Sequence, residues 1–251
     1  MSQSYEYIFP VAKTNGVALT QTPVTGTNLR LNGSYTNSVT GIVNLGFSSV
    51  LSTTSAGADL SAVTFNVTGS QNGVNVTDAI KGGAANATVT GVQYFNVITS
   101  ISVAGVVPGG GTVSIGTAGT AGFLPLIIVN TAKGLSDVGY ALQFIGAANS
   151  TATVYQSLGN IISSGQTYSQ LIANKLMMPI TEVANGAVTI PGIQQMKSIC
   201  TNILVNVTNN QSALFAVKFL QLWLKLQKRG KSELELQISV NFFSVIENIL
   251  Q

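Results

Sequence analysis

The run Val-Thr-Phe-Asn-Val-Thr at residues 63–68 alternates apolar and polar side chains without a break. In an extended chain successive side chains point to opposite faces, so the apolar residues of this run share one face and the polar residues share the other. Residues 69–73 contain two glycines and predict a turn, and Val74, Val76 and Ile80 resume the apolar pattern beyond it. The two runs together predict an antiparallel pair with one buried and one solvated face.

Runs of this kind recur at short intervals along the chain. Further strands are predicted at residues 94–103, 113–116, 126–129, 140–145, 151–155 and 199–207. Between residues 158 and 178 the periodicity weakens, and Leu171, Asn174, Lys175 and Met178 fit one helical turn as well as a loop. Short strands separated by glycine and asparagine turns predict an all-β fold, built as antiparallel β-sandwich or jelly-roll-like modules.

The composition excludes most of the common catalytic centres. Charged residues make up 8% of the 251 residues, against about 25% in an average protein. The chain has no histidine and a single cysteine, Cys200. A zinc site built from histidine and cysteine, a Ser-His-Asp or Cys-His nucleophilic centre and a disulfide framework are therefore excluded within one chain.

The remaining polar and flexible residues do not form a recognisable catalytic motif. Glu233 and Glu235 are close in sequence but share one strand face, so no two carboxylates are predicted to face each other across a cleft. The glycines at residues 109–111 lack the lysine and the helix of a phosphate-binding loop and are interpreted as a turn. Cys200 is interpreted as a small core residue. We expect no enzymatic activity, no catalytic or metal-binding residue and no cofactor.

The net charge of +3 does not indicate a nucleic-acid partner. Lysine and arginine cluster only at Lys228, Arg229 and Lys231, which is interpreted as a solvated hairpin tip, whereas a nucleic-acid binder concentrates such residues on one face. Residues 82–132 are uncharged but are broken by proline and glycine, so no membrane-spanning helix is predicted. The first nine residues lack the pattern of a secretory signal, and we expect a soluble protein made in a cytoplasm.

The end of the chain carries the most regular strand pattern. In residues 234–242 every even position is apolar and every odd position is polar, and the predicted partner is residues 218–227, whose leucines also occupy even positions. Apolar residues face one another when Leu226 lies opposite Leu234, which requires an odd-length loop at residues 229–231. The alternative is a helix through Phe219, Leu222, Trp223 and Leu226.

This predicted hairpin has more apolar surface than one sheet can cover. From residue 213 to 219 every odd position is apolar, and from 220 onward a second set of apolar residues appears at even positions, which indicates a bulge or two buried faces. Trp223 on the odd face favours two buried faces and contact with a neighbouring subunit, the alternative being packing on its own domain. The candidate assembly interface comprises Phe219, Leu222, Trp223, Leu224, Leu226, Leu236, Ile238 and Phe242. The expected organisation is a β-sandwich module at residues 1–120, a second β module at 121–217 and a C-terminal hairpin arm at 218–251.

A family resemblance is carried by residues 62–116. There Val-Thr-Phe-Asn-Val-Thr-Gly is followed by Asn-Gly-Val-Asn-Val-Thr-Asp, then by Tyr-Phe-Asn-Val-Ile-Thr-Ser-Ile-Ser-Val-Ala-Gly and Val-Ser-Ile-Gly-Thr-Ala-Gly. These blocks resemble a β-module of virion structural proteins of tailed bacteriophages, and residues 191–198, 203–207 and 214–220 are similar to the ending of that module. The resemblance spans roughly residues 60–220. It implies a structural part of a phage particle, with neither catalytic residues nor a cofactor.

The expected function is therefore that of a non-enzymatic virion component, in first place an auxiliary or decoration protein on the capsid. The alternatives are a head-to-tail or tail protein and a carbohydrate-binding or receptor-binding module, in which Tyr94, Tyr140, Tyr155 or Trp223 would stack on a sugar. The expected partners are other copies of the chain, giving a homo-oligomer, and major capsid or tail proteins. No nucleic acid and no membrane are expected. The expected location is the virion, after synthesis in the cytoplasm of a host bacterium.

Overall fold

A computed structural model of the chain shows an antiparallel β protein. The structure describes residues 3–9, 11–129, 138–145, 151–158, 165–183, 186–190, 201–208 and 213–221. Within these ranges there are fourteen strands and one short helix, and all the pairings between strands are antiparallel. The prediction of an all-β fold is confirmed.

The strands are numbered in chain order. The first seven are β1 (Gln3–Phe9), β2 (Lys13–Gln21), β3 (Val43–Ala56), β4 (Thr64–Gln71), β5 (Val74–Lys81), β6 (Thr88–Ala104) and β7 (Thr112–Phe123). The remaining elements are β8 (Ile127–Val129), β9 (Val138–Ile145), β10 (Thr151–Leu158), α1 (Tyr168–Ala173), β11 (Met178–Val183), β12 (Gly186–Ile190), β13 (Thr201–Thr208) and β14 (Ala213–Gln221).

The strands form two sheets. The larger has ten strands in the order β11-β10-β13-β7-β3-β6-β4-β5, with β2 also paired to β7 and β8 to β13. The smaller has four strands in the order β1-β14-β9-β12. Strand β7 passes through residue 120, and the larger sheet takes strands from both sides of that residue. The division of the chain into modules at residue 120 stays a prediction.

The first predicted strand pair is present with the expected faces. Val63, Phe65 and Val67 are fully buried, whereas Asn66 and Thr68 are exposed. Burial of apolar side chains of this size stabilises a fold by about 1.5–3 kcal/mol each. The predicted inward face of β4 is therefore confirmed, and it forms part of the main core.

The turn after this strand is shorter than predicted. Strand β4 continues through Gly69 to Gln71, and the turn consists of Asn72 and Gly73 with φ values of 52° and 74°. Two consecutive positive φ values are those of a two-residue hairpin turn, which favours Asn-Gly. Gly69 lies inside the strand. A Cβ atom there would overlap the carbonyl oxygen of Val97 on β6, so only glycine fits at this position.

Strand β6 connects two parts of the larger sheet. Its first half pairs with β3, from Thr88 opposite Thr54 to Ile98 opposite Val43. Its second half pairs with β4, up to Ala104 opposite Thr64. The core of the larger sheet contains large, fully buried side chains, including Leu51, Phe65, Ile80, Phe95, Ile98, Ile101 and Ile115.

Strand β3 has no counterpart among the predicted strands, although it lies in the middle of the larger sheet. Its buried side chains include serines and a threonine that bond to nearby polar groups. The Thr53 hydroxyl donates to the Lys81 carbonyl oxygen at 3.0 Å, and the Ser55 hydroxyl accepts from the Gly83 N–H at 2.9 Å. These bonds satisfy the hydroxyl groups away from water, so a polar strand can occupy the interior.

The segment with weak periodicity contains the helix α1. Thr167 caps its first turn by accepting from the Gln170 N–H at 3.2 Å, and the Gln170 side chain accepts from the Thr167 N–H at 2.8 Å. This reciprocal capping fixes the start of the helix.

No helix in the described part of the chain is long and apolar enough to cross a membrane.

Candidate assembly interface

The smaller sheet contains the one predicted interface residue that the structure describes. Phe219 lies on β14, opposite Gln3 of β1 on one edge and Tyr140 of β9 on the other. The pairing runs without a shift from residue 213 to 219 against β1 and from 214 to 221 against β9. The bulge considered near residues 218–220 is therefore not found in the described part of β14.

The register of this sheet separates its residues by chemistry. Residues directly opposite each other in neighbouring strands share a face. One face, called the aromatic face here, carries seven aromatic positions and no charged position. Its apolar members are Tyr5, Tyr7, Phe9, Val138, Tyr140, Leu142, Phe144, Val188, Ile190, Ala213, Phe215, Val217 and Phe219.

The opposite face of the same sheet is different in composition. It carries Glu6 and Lys218, and none of its positions is aromatic. Glu6 pairs with Ala216 and Lys218 pairs with Ser4, so the two charged residues occupy diagonal positions on neighbouring strands. The sheet is therefore strongly two-sided, with all of its charge on one side and all of its aromatic residues on the other.

Most of the predicted interface residues lie outside the described residues. These are Leu222, Trp223, Leu224, Leu226, Leu236, Ile238 and Phe242. The predicted hairpin between residues 218–227 and 234–242, with its loop at 229–231, stays a prediction. At Lys218 and Phe219, β14 already pairs with β1 on one side and with β9 on the other. Residues 234–242 can therefore pair with the run 218–227 only from Leu220 onward.

Sequence reasoning placed Phe219 in the interface and Tyr140 among the sugar-binding candidates, but it did not identify the other five aromatic positions as part of a site. The signal for β1 is the spacing of Tyr5, Tyr7 and Phe9, which is the period of two expected for one face of a strand. What the local pattern could not provide is the pairing of β1 with β14, because the partners are about 200 residues apart in the chain. Three of the seven aromatic positions join the aromatic face only through that pairing.

Apolar residues are also exposed at single positions of turns, loops and strands outside the smaller sheet. Val39 is 91% exposed, Val106 is 79% exposed and Val92 is 73% exposed. The turn that carries Val39 is ordered by Asn37, whose side-chain oxygen accepts from the N–H groups of Val39 at 2.9 Å and Thr40 at 3.2 Å. Single exposed valines of this kind are common on protein surfaces, and they do not form a site by themselves.

Asp59 and Asp78 serve local structure in and beside the larger sheet. Asp78 Oδ2 accepts from the N–H groups of Val92 at 2.8 Å and Gln93 at 3.0 Å. Asp59 accepts from the Ser61 N–H at 2.8 Å, and this bond lowers the pKa of its carboxyl group. Within the ranges that the structure describes, no group of three or more histidine, cysteine, aspartate or glutamate residues is placed to hold a metal ion. Glu233, Glu235 and Cys200 lie outside those ranges.

The aromatic residues considered for sugar binding occupy different places. Tyr94 is half-buried and packs edge-on against Phe123, with their ring centres 5.1 Å apart. Burial raises the pKa of the Tyr94 hydroxyl. Tyr155 is half-buried on β10, Tyr140 is on the aromatic face, and Trp223 lies outside the described residues. The described members of this set do not form one exposed platform.

No protein-family model and no curated protein sequence matches the chain. The major capsid protein P2 of bacteriophage PM2 is 9% identical, over 89% of this chain and 99% of that chain, with a TM-score of 0.20. A protein of Parabacteroides distasonis described as secreted is 7% identical, over 86% and 88% of the two chains, with a TM-score of 0.24. A chain of the infectious bursal disease virus Gt strain is 12% identical, over 87% and 75%, with a TM-score of 0.18. Similarity at this level carries no argument about function, which has to be argued from the residues of this chain.

Proposed function

We propose that the chain is a non-enzymatic structural component of a bacteriophage virion, and that it acts as an auxiliary or decoration protein on the capsid. In this role it binds other copies of itself and a major capsid protein, after synthesis in the cytoplasm of the host bacterium. The observation that carries the proposal is the two-sided sheet of β1, β14, β9 and β12, which sets seven aromatic positions on an uncharged face. The resemblance of residues 60–220 to phage virion β-modules supports the same assignment.

The aromatic face suits subunit contact on physical grounds. Aromatic residues are enriched, and charged residues depleted, at the centres of protein interfaces. Strand β14 also leads directly from this sheet into residues 222–251, where the predicted leucine ladder lies. In a shell of many copies each contact can be modest in affinity, because many such contacts hold the assembly together.

The virion assignment is tested by mass spectrometry of purified phage particles. We expect peptides of this chain in the particle fraction, at many copies per particle. Imaging of particles labelled at this protein separates a capsid position from a ring at the head-to-tail junction or a tail position. Absence of the chain from the particles would contradict the virion role.

The role of the aromatic face is tested with two neighbouring substitutions on β14. Val217→Lys places a charge on the aromatic face, whereas Ala216→Lys places the same charge on the opposite face, directly across from Glu6. We expect Val217→Lys to reduce incorporation into particles and Ala216→Lys to incorporate normally, with both proteins folded by circular dichroism. Equal incorporation of the two variants would contradict the interface. If Val217→Lys does not fold, Tyr5→Lys on the edge strand β1 replaces it, with Ser4→Lys as its control.

The C-terminal segment is tested by deletion of residues 222–251, which keeps all of β14. We expect a folded β protein that no longer assembles. Leu224→Asp is the matching point variant, and burial of its unpaired charge on a dry leucine ladder would cost several kcal/mol. Normal incorporation of the truncated chain would show that this segment is not an assembly element, and unchanged melting and incorporation of Leu224→Asp would count against the proposed register.

A further inference from the structure

The segment Gly165–Met177, called the clasp here, is attached to the larger sheet through a buried glutamine. Gln71 is 2% exposed and lies at the end of β4. Its side-chain N–H donates to the Ser48 hydroxyl at 2.7 Å, and its side-chain oxygen accepts from the Tyr168 N–H at 3.0 Å. One side chain therefore connects β3, β4 and the first turn of α1.

The adjacent residue makes a second polar attachment. The Asn72 side chain donates to the Gln166 carbonyl oxygen at 3.0 Å, and the Asn72 N–H donates to the Asn96 side-chain oxygen at 2.9 Å. Both attachments of the clasp to the hairpin tip use side chains, and neither belongs to a strand ladder. Each can break without disturbing the pairing of β4 with β5 or β6.

The apolar contacts of the clasp form a cluster of their own. Tyr168, Leu171 and Met177 are buried together with Phe123, and this group is separate from the main core that lies between β3, β4 and β6. The rings of Tyr168 and Phe123 meet edge-on, with centres 5.6 Å apart. Segments with a small, separate apolar cluster and few ladder hydrogen bonds are those that open locally in native proteins.

The helix within the clasp depends on this attachment for its stability. It has six residues, and helices shorter than about 12 residues are marginal in water on their own. Its end is closed by the N–H groups of Leu176 and Met177, which donate to the Leu171 carbonyl oxygen at 2.9 Å and 3.1 Å. Once the clasp leaves the sheet, the helix and its closing bonds are lost together. A segment held in this way would have two states, docked and open.

We infer that the clasp is a conformational device: it opens as one unit while the pairings among β3, β4, β6 and β7 persist, and Gln71 holds it closed. Opening uncovers the ring of Phe123, against which Tyr168 packs in the closed state. The open state thus presents an aromatic surface that the closed state hides. This inference does not depend on the proposed virion role.

The unmodified protein provides the first test, by native-state hydrogen exchange with increasing urea. We expect the amides of Tyr168, Leu171, Asn174, Leu176 and Met177 to exchange through a common opening with a small urea dependence. The amides that pair β3 with β6 should exchange only through a larger opening with a steep urea dependence, because that opening exposes far more surface. If both groups exchange through the same steep opening, the clasp is not a separate unit and the inference is wrong.

The role of Gln71 is tested by Gln71→Leu, which keeps much of the side-chain volume and removes both hydrogen bonds. Gln93→Leu is the matched control, because Gln93 is exposed on β6. We expect Gln71→Leu to accelerate exchange of the clasp amides about tenfold, the effect of roughly one lost hydrogen bond. The β3 and β6 amides should be unchanged, and Gln93→Leu should change neither group. Equal acceleration in clasp and sheet, or no acceleration in the clasp, would overturn the role of Gln71. If Gln71→Leu does not fold, Gln71→Met, which also lacks both hydrogen bonds, is measured in the same way against the same outcomes.

Discussion

Removal of the Asp78 carboxylate should destabilise the larger sheet at one defined irregularity. Between Val50 and Ser52 of β3 there is one residue, whereas between their partners on β6, Tyr94 and Thr90, there are three. Strand β6 therefore bulges at residues 91–93, and the N–H groups of Val92 and Gln93 turn toward Asp78 Oδ2. A bulge leaves backbone groups outside the ladder, and here a carboxylate from β5 satisfies two of them.

The magnitude follows from the number of bonds and their exposure. A hydrogen bond to a charged group contributes about 1.5–3 kcal/mol when it is well buried. Val92 is 73% exposed, so water can replace part of what is lost. We therefore expect Asp78→Ala to lower the free energy of unfolding by about 2 kcal/mol for the two bonds together. For a chain of this length that corresponds to a fall in Tm of about 4–8 °C.

The assay is thermal unfolding followed by circular dichroism, with urea unfolding as a second measurement. Asp78→Asn keeps one acceptor oxygen without the charge and should lose about half as much stability. Asp59→Ala is the control, since Asp59 is exposed and bonds only to Ser61 in its own turn, and it should change Tm much less. If Asp78→Ala and Asp59→Ala lower Tm equally, the bulge does not depend on the carboxylate.

Three further variants test other parts of the fold. Gly69→Ala should lower stability by about 2 kcal/mol, because its Cβ atom would overlap the Val97 carbonyl oxygen, whereas Gly109→Ala in open space should be neutral by thermal unfolding. Burial raises the pKa of the Tyr168 hydroxyl, so the neutral form is favoured in the folded state and stability should fall as pH rises from about 10 through the raised pKa. Tyr168→Phe should reduce this alkaline loss in urea midpoints, and an identical pH profile would contradict it. Leu51→Ala at a fully buried site should cost about 3 kcal/mol by urea unfolding, clearly more than Leu19→Ala at a partly exposed site.

The sequence predicted those strands whose two faces differ in polarity. Phe65 and Val67 are buried and Asn66 is exposed, so periodicity alone identifies β4 and its inward face. Strand β3 has no such contrast, because Ser52 and Thr53 are buried on adjacent positions. A strand covered on both faces and rich in hydroxyl groups has no period of two in hydrophobicity, and only its neighbours identify it.

Glycine was a misleading signal at one position and an informative one at the next turn. Gly69 suggests a turn in the sequence but lies in β4, because only glycine fits beside the Val97 carbonyl oxygen. Asn72 and Gly73 form the actual turn, and that dipeptide is the strongest local hairpin signal. Of the residues on the aromatic face, only Phe219 was predicted to lie in an interface, since β1 joins that face through a pairing with β14 that no local pattern contains.

The pairing of β1 with β14 has a consequence for how the protein is made. On the ribosome β1 is synthesised first, and its partner strand in the smaller sheet follows about 200 residues later. At elongation rates of about 5–20 residues per second this interval is roughly 10–40 s. During that time the Tyr-Glu-Tyr-Ile-Phe stretch at residues 5–9 has no partner strand, and an unpaired aromatic strand is a place where nascent chains associate wrongly. Slow synthesis or a shortage of chaperones should therefore lower the yield of native protein. Wrong association of residues 3–9 should contribute more to this loss than misfolding of the larger sheet.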